Sequence, residues 1–275
     1  MSQVVTRFPT APVSVSVVVP VYRGARTIEA LAAEVSTLRT VTQTPAGRPF
    51  RVTEMIFVWD HGPDDSDEVL GRLAEDEDWV RVIWLSRNFG QHAATVAGMA
   101  ATGGDWIVTM DEDGQHDPAS IGALLDAAYD TRSQLVYAAP ANRPPHGAIR
   151  NLGSALAKTV FIKLLSGNSQ IRFHSFRLIA GDAGRAVAAY SGPGVYLDVA
   201  LAWVISDISD VPVTMRAEGR KAVNYPLRAL VSHFWRLVLS SGNRPLRIVS
   251  AFGVLCSGAG ILYSIWIIIG RLHGP

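Results

Sequence analysis

Short apolar runs alternate with segments of helical spacing through the first half of this chain, and this alternation constrains the fold most. Five runs are predicted as strands, at residues 13–19, 55–58, 80–85, 106–110 and 135–139. Helices are predicted between them, at residues 27–38, 67–74, 91–101 and 119–129. This order of elements predicts an α/β fold with an open, mainly parallel sheet and helices on both faces.

Two carboxylates follow the fourth apolar run, at the position where a buried strand would end. Asp111 and Asp113 flank Glu112, and Gln115 lies on the same turn. Ligands of α/β folds bind at the carboxyl ends of strands, where paired oxygen donors suit a divalent metal held against a diphosphate. Asp-rich turns are common, so this motif alone leaves an ordinary turn as the alternative.

Composition and motifs argue against several other classes of protein. The 275 residues carry a net charge of +1, which gives no electrostatic case for binding nucleic acid. No G-x-G-x-x-G follows the first predicted strand, which argues against a nicotinamide dehydrogenase. The single cysteine, Cys256, cannot form an internal disulfide, and its apolar surroundings predict a buried, unreactive thiol.

A transmembrane helix is predicted at residues 248–270, a stretch without a charged residue. At about 1.5 Å per residue, such a helix would cover the roughly 30 Å hydrocarbon core of a bilayer. More arginines and lysines precede this segment than follow it, so the preceding domain is expected in the cytoplasm, at the cell membrane. Residues 226–247 are predicted as amphipathic interfacial helices, and residues 1–12 as a tail.

Ten residues between positions 85 and 118 carry a family resemblance: Arg87, Asn88, Gly90, Gln91, Gly104, Asp105, Asp111, Asp113, Gln115 and Pro118. Their order, R-N-x-G-Q, then G-D, then D-x-D-x-Q-x-x-P, resembles the family 2 glycosyltransferases. The similar branch moves a sugar from a nucleotide to dolichyl or undecaprenyl phosphate. The resemblance implies a GT-A type domain at residues 13–225 and an inverting, metal-dependent transferase for a cell-envelope glycan.

The resemblance also implies a donor site for a UDP- or GDP-linked sugar. Its residues would be Pro20, Tyr22, Asp60, Asp64, Arg87, Gln91, Asp111 and Asp113. Residues 59–64 are similar to the family's D-D-G-S-x-D turn, which holds the nucleobase and ribose, although Trp59 replaces its first acid. Asp111, Asp113 and Gln115 would bind Mg²⁺ or Mn²⁺, which neutralises the leaving diphosphate, and Asp113 is expected to be catalytic.

The acceptor phosphate is expected to lie against positive charge. The resemblance implies Arg143, Arg150, Ser154 and Arg216 at this site, with the first two also counted as catalytic. A phosphate acceptor is already ionised near pH 7 and needs no general base, so cations must hold two anions together instead. Solvated loop arginines are the alternative for residues 143 and 150. Asp198 precedes an apolar segment and is predicted as a helix cap, with a sugar-facing role as the alternative.

Departures from the family pattern keep other functions open. Arg23, Trp59 and Lys221 stand where the family has other residues, so a non-catalytic sugar-nucleotide-binding subunit of a glycan assembly complex is the alternative, as is transfer to another membrane acceptor. A processive synthase is disfavoured because no Q-x-x-R-W motif is present. Small residues in the predicted membrane helix leave a homo-oligomer or a partner membrane helix open.

Overall fold

The protein is described from a computed structural model that covers residues 11–141, 173–192, 194–216 and 244–273. The described residues form eight strands and seven helices. The strands are β1 Val13–Val21, β2 Thr42–Gln43, β3 Pro49–Trp59, β4 Val80–Trp84, β5 Trp106–Thr109, β6 Leu135–Pro140, β7 Arg177–Ala180 and β8 Ile208–Val213. The helices are α1 Ile28–Ser36, α2 Ser66–Asp76, α3 Gln91–Ala100, α4 Ile121–Thr131, α5 Gly181–Tyr190, α6 Leu197–Val204 and α7 Arg244–His273.

The eight strands form one open sheet in the order β2-β3-β1-β5-β7-β6-β8, and β4 pairs with the end of β3. Strand β1 runs parallel to both β3 and β5, β3 runs parallel to β4, and β6 runs parallel to β8. Strand β7 is antiparallel to its neighbours β5 and β6. The predicted α/β sheet is therefore confirmed, and its antiparallel strands are β7 and the short strand β2.

Strand β1 lies inside the sheet, between β3 and β5, and its two faces contribute valines to different cores. Val15, Val17 and Val19 point into one core, which also receives side chains from α1, α2 and α4. Val18 points into the other core, beneath α3, α5 and α6. Consecutive apolar residues such as valines 17–19 are typical of a strand that is buried on both sides, and this explains why β1 was predictable from sequence.

Strand β3 is longer than the apolar run predicted from the sequence, because buried and exposed residues alternate in its first half. Phe50 and Val52 are buried, whereas Arg51 and Thr53 are exposed. Trp59, its last residue, is partly buried and packs against the core. The short strand β2 is not among the strands predicted from the sequence, and it pairs antiparallel with the start of β3.

The last described helix, α7, is long and apolar enough to cross a membrane over Ser250–Ile269. Its side chains in this span are not buried against the rest of the described structure. The thiol of Cys256 is exposed on the helix surface, so the prediction of a buried thiol is wrong. An apolar sequence neighbourhood did not imply burial because the helix packs on nothing in the described residues. The predicted interfacial helices at residues 226–247 lie largely outside the described residues.

Candidate functional site

The carboxyl ends of β1, β3 and β5 meet at one edge of the sheet because the three strands are adjacent and parallel. Their last residues are Val21, Trp59 and Thr109. The turns that follow them carry most of the donor residues predicted from the sequence. This edge is also where ligands bind in open α/β sheets, so the fold brings the predicted donor residues together.

Asp111 is held at this edge through both of its carboxylate oxygens and its backbone. Its Oδ1 accepts a hydrogen bond from Nε2 of Gln91 at 2.5 Å, and its Oδ2 accepts one from Oγ of Ser175 at 2.6 Å. The Asp111 backbone N–H donates to Nδ1 of His116 at 3.0 Å. The His116 ring is buried and stacks on Phe176 with centroids 4.9 Å apart. These contacts hold the carboxylate in one orientation.

Asp113 lies two residues further along the same turn. Its Oδ1 accepts a hydrogen bond from the backbone N–H of Gln115 at 3.0 Å, across Gly114. Gly114 has a φ of +77°, a left-handed conformation that favours glycine, so the chain reverses tightly here. The Gln115 carbonyl accepts from the backbone N–H of Arg216 at 3.0 Å. The turn is thus closed on itself and tied to the segment after β8.

The oxygen ligands at this turn fit a hard divalent cation that binds together with a diphosphate. Asp111 and Asp113 offer carboxylate oxygens, the ligand type that Mg²⁺ and Mn²⁺ prefer. Within the described ranges, no three His, Cys, Asp or Glu side chains are grouped to hold a metal by themselves. Mg²⁺ is commonly bound by one or two carboxylates plus substrate phosphates, and this is the mode that two carboxylates suit.

Asp60 braces the neighbouring loop. Its side chain is 3% exposed, and its two oxygens accept hydrogen bonds from the backbone N–H groups of Phe89 at 2.7 Å and Gly90 at 2.8 Å. Burial raises the pKa of Asp60, and the two hydrogen bonds oppose that shift. Asp60 therefore fixes the loop that carries Arg87 and leads into Gln91. A direct contact between Asp60 and the nucleotide sugar stays a prediction.

Asp64 ties two of the strand-end turns together. Its Oδ2 accepts from the backbone N–H of Ala25 at 3.2 Å, and its Oδ1 accepts from Oγ of Ser66 at 2.6 Å. The same Ser66 oxygen accepts from the backbone N–H of Gly24 at 2.9 Å. The turn after β1 is therefore held by the turn after β3. The sequence predicted Asp64 as a donor ligand and did not reveal this bracing role.

The two turns approach so closely that Gly62 has no room for a side chain. A Cβ atom there would lie 1.8 Å from the carbonyl oxygen of Tyr22. We expect Gly62→Ala to destabilise the protein by about 1–3 kcal/mol, because backbone must move to admit the methyl group. Gly71→Ala in helix α2 is the matched control, since nothing lies within 4 Å of a Cβ there.

Urea unfolding of the wild type and the two glycine variants measures this difference. The control is expected to be neutral or to stabilise the fold by about 0.5–1 kcal/mol, because alanine is favoured over glycine inside a helix. Equal stability of Gly62→Ala and the wild type would show that the two turns are not packed as described.

Three other predicted donor residues lie at the same edge with different exposure. Pro20 is buried near the end of β1, whereas Tyr22 is exposed and has the guanidinium of Arg23 5.6 Å from its ring centre. Arg87 is exposed, with its guanidinium 4.7 Å from the centre of the Phe89 ring. Tyr22 and Arg87 are therefore accessible to a ligand, and Pro20 shapes the turn from beneath.

Of the four predicted acceptor residues, only Arg216 lies among the described residues. Arg143, Arg150 and Ser154 lie outside the described residues. Arg216 is exposed, and its guanidinium contacts Oε2 of Glu34 at 2.7 Å and Oδ1 of Asp117 at 2.9 Å. Its hydrogen bond to Glu34 raises the pKa of Arg216. An acceptor phosphate at this arginine would have to compete with two carboxylates, so its acceptor role stays a prediction.

A buried ion pair lies behind the site. Arg177 and Asp198 pair through Nη1 and Oδ1, and both side chains are almost inaccessible to solvent. The Tyr137 hydroxyl donates to the same Asp198 oxygen at 2.9 Å, and burial holds the pKa of Tyr137 well above its usual value. The predicted cap role of Asp198 is wrong: no capping hydrogen bond is made by the residue before α6, and Asp198 lies inside its first turn.

Sequence reasoning missed the residues that hold Asp111 from behind. The segment formed by Ser175, Phe176 and Arg177, which leads into β7, has no role among the site residues predicted from the sequence. Their proximity to Asp111 depends on the antiparallel pairing of β7 with β5, which no local pattern encodes. The serine at the edge of that segment was the one available signal.

Comparison with known proteins agrees with this fold. The crystal structure of glucosyl-3-phosphoglycerate synthase from Mycobacterium tuberculosis, in complex with Mn²⁺ and uridine-diphosphate-glucose, superposes with a TM-score of 0.56 and 20% identity. It covers 84% of this chain and 79% of the synthase chain. This likeness confirms the GT-A type fold.

Three relatives are similar in sequence. One from Mycobacterium tuberculosis (strain CDC 1551 / Oshkosh), named provisionally as a glycosyltransferase, is 29% identical over 76% of this chain, and the chain spans only 62% of its length. The undecaprenyl-phosphate 4-deoxy-4-formamido-L-arabinose transferase of Klebsiella pneumoniae (strain 342) is 28% identical over 95% of this chain and 78% of the relative. The bactoprenol glucosyl transferase of Shigella phage SfX is 24% identical over 94% of this chain and 82% of the relative.

The family model of glycosyl transferase family 2 matches residues 16–184. This range runs from within β1 to the residues just after β7, and it contains every contact to Asp111 described above. The match covers more than half of the 275 residues. The chain therefore belongs to glycosyl transferase family 2.

Proposed function

We propose that this protein transfers a sugar from a nucleotide diphosphate to a polyprenyl phosphate, with inversion at the anomeric carbon. The observation that carries the proposal is the carboxylate pair Asp111 and Asp113 at the edge where β1, β3 and β5 end. Two relatives are named for a polyprenyl acceptor but for different sugars, which supports the acceptor class and leaves the sugar open.

Asp111 and Asp113 are proposed to hold Mg²⁺ or Mn²⁺, with Gln115 as a third oxygen ligand. When bound, the cation would neutralise charge on the departing nucleoside diphosphate. Arg87 and Gln91 lie on the loop braced by Asp60 and are proposed to face the same diphosphate. Mn²⁺ is the cation to test first, since a protein of the same fold was solved with Mn²⁺ and UDP-glucose.

The acceptor is proposed to act without a general base. One phosphate oxygen attacks the anomeric carbon as the bond to the donor diphosphate breaks, and the electron pair of that bond leaves on the diphosphate. No proton has to be removed, because the phosphate is already ionised. Arg143, Arg150 and Ser154 are proposed to hold the acceptor phosphate, with Arg216 at the border of the site.

The C-terminal helix is proposed to span the cell membrane, with the catalytic domain at residues 13–225 in the cytoplasm. The support is the apolar span of α7 and the excess of basic residues before it. Residues 226–247 are proposed to lie along the bilayer surface. This arrangement would bring a cytoplasmic nucleotide sugar and a membrane lipid to the same enzyme.

The proposal is tested by incubating the full chain in detergent micelles with a short polyprenyl phosphate, Mn²⁺ and a panel of UDP- and GDP-sugars. One donor is expected to give a glycosyl-phosphate lipid, and excess chelator is expected to stop its formation. Donor binding without transfer to any lipid would instead favour the non-catalytic sugar-nucleotide subunit. Transfer in the presence of excess chelator would refute the metal requirement.

A further inference from the structure

We infer that Ser175 is a positioning residue that orients the Asp111 carboxylate for the metal-bound diphosphate, an inference that rests on the proposed function. Its Oγ donates a 2.6 Å hydrogen bond to Oδ2 of Asp111. Ser175 comes from the other half of the chain, 64 positions away from Asp111. The contact therefore exists only because β7 is paired beside β5.

Ser175 is itself held in place from beneath. Its backbone carbonyl accepts a 2.6 Å hydrogen bond from Oγ1 of Thr109, and Nε of Arg177 donates to the same threonine oxygen at 3.0 Å. Arg177 is anchored by its buried pairing with Asp198. A continuous series of hydrogen bonds thus runs from a buried ion pair to the carboxylate. Its rigidity fixes where the serine hydroxyl lies.

The hydrogen bonds to Asp111 leave lone pairs on its carboxylate oxygens for a cation. Ser175 donates to one carboxylate oxygen and Gln91 donates to the other. An ionised carboxylate has about four lone-pair sites, so one donor on each oxygen leaves further sites for a metal. Both donors are neutral, so they orient the carboxylate without cancelling its charge. This combination is what a preset metal ligand requires.

Removal of the hydroxyl should weaken metal binding more than it weakens the fold. Outer contacts of metal ligands typically contribute 10–100-fold to metal affinity, so we expect Ser175→Ala to bind Mn²⁺ about 10-fold more weakly. Ser175→Thr keeps a hydroxyl at the same carbon and should recover most of the affinity. Ser120→Ala is the matched control, since Ser120 makes no capping hydrogen bond at the start of α4.

The experiment measures Mn²⁺ binding to the full chain in detergent micelles by electron paramagnetic resonance of the free ion. Titrations are run with Mn²⁺ alone and with UDP or GDP present, and thermal unfolding is recorded for each variant. The expected order of affinity is wild type and Ser120→Ala first, then Ser175→Thr, then Ser175→Ala. The unfolding midpoint of Ser175→Ala is expected to stay within a few degrees of the wild type, an effect of less than about 1 kcal/mol.

Failure of this inference is distinguishable from failure of the proposed function. Unchanged Mn²⁺ affinity in Ser175→Ala, with the affinity lost in Asp111→Ala, would overturn the positioning role alone. Unchanged affinity in Asp111→Ala would overturn the metal assignment, whatever the serine variants do. A Ser175→Thr variant that binds as weakly as Ser175→Ala would show that the hydroxyl is not the group that matters.

Discussion

Replacement of either Asp111 or Asp113 with alanine is expected to lower sugar transfer on the order of 100- to 1000-fold, the range for loss of one stabilising group at a developing charge. Both side chains are only partly buried, so the fold should persist. The measurement is the initial rate of lipid glycosylation at saturating Mn²⁺, with circular dichroism of each variant. Asp182→Ala is the matched control, since that carboxylate is 95% exposed and far along the chain in α5.

Two results would contradict this prediction. Transfer at the wild-type rate in either variant would remove that carboxylate from the metal site. A comparable loss in Asp182→Ala would show that the assay responds to general damage, since an exposed ion pair contributes at most about 1 kcal/mol to stability.

Arg177→Met is expected to lower the free energy of unfolding by about 3–5 kcal/mol, because it leaves the Asp198 carboxylate buried without its cation. The arginine and the aspartate are each at most 5% exposed at the side chain. Burial already raises the pKa of Asp198, and Arg177 opposes that shift. Denaturant unfolding of the variant measures the loss.

The double variant Arg177→Met, Asp198→Leu is the matched control for this effect. Replacement of a whole buried ion pair by apolar residues is often neutral, so the double variant should be more stable than Arg177→Met alone. A double variant that loses the sum of both single effects would mean that the two side chains act independently. That outcome would contradict the pairing of Arg177 with Asp198 as the source of the loss.

Much of the fold could be predicted because its central strands are buried on both faces. In β1, the consecutive valines 17–19 point into both cores, which is typical of a strand that is covered on both faces. At the beginning of β3, buried residues alternate with exposed ones, so the apolar run predicted only the second half of the strand. Strand β7 was harder to predict, because its antiparallel pairing with β5 and β6 depends on long-range contacts.

The candidate site was predictable where function depends on residues close in sequence. Asp111 and Asp113 lie on one turn, and their spacing together with the neighbouring family motifs predicted a shared ligand. Asp60 and Asp198 show the limit of this reasoning. Asp60 bonds to backbone groups 29 and 30 positions away, and Asp198 bonds to Tyr137 across 61 positions. A short sequence pattern contains no information about such partners, so both carboxylates received other roles.

The central claim is that the nucleophile is a lipid phosphate, and the choice of acceptor tests it most directly. Transfer by the wild-type protein is compared between a short polyprenyl phosphate and the matching free polyprenol, with the same donor and Mn²⁺. We expect transfer to the phosphate and none above background to the alcohol, because the alcohol carries no anionic group for the arginines to bind and the proposed site supplies no general base to deprotonate it. Comparable transfer to the free alcohol would contradict it.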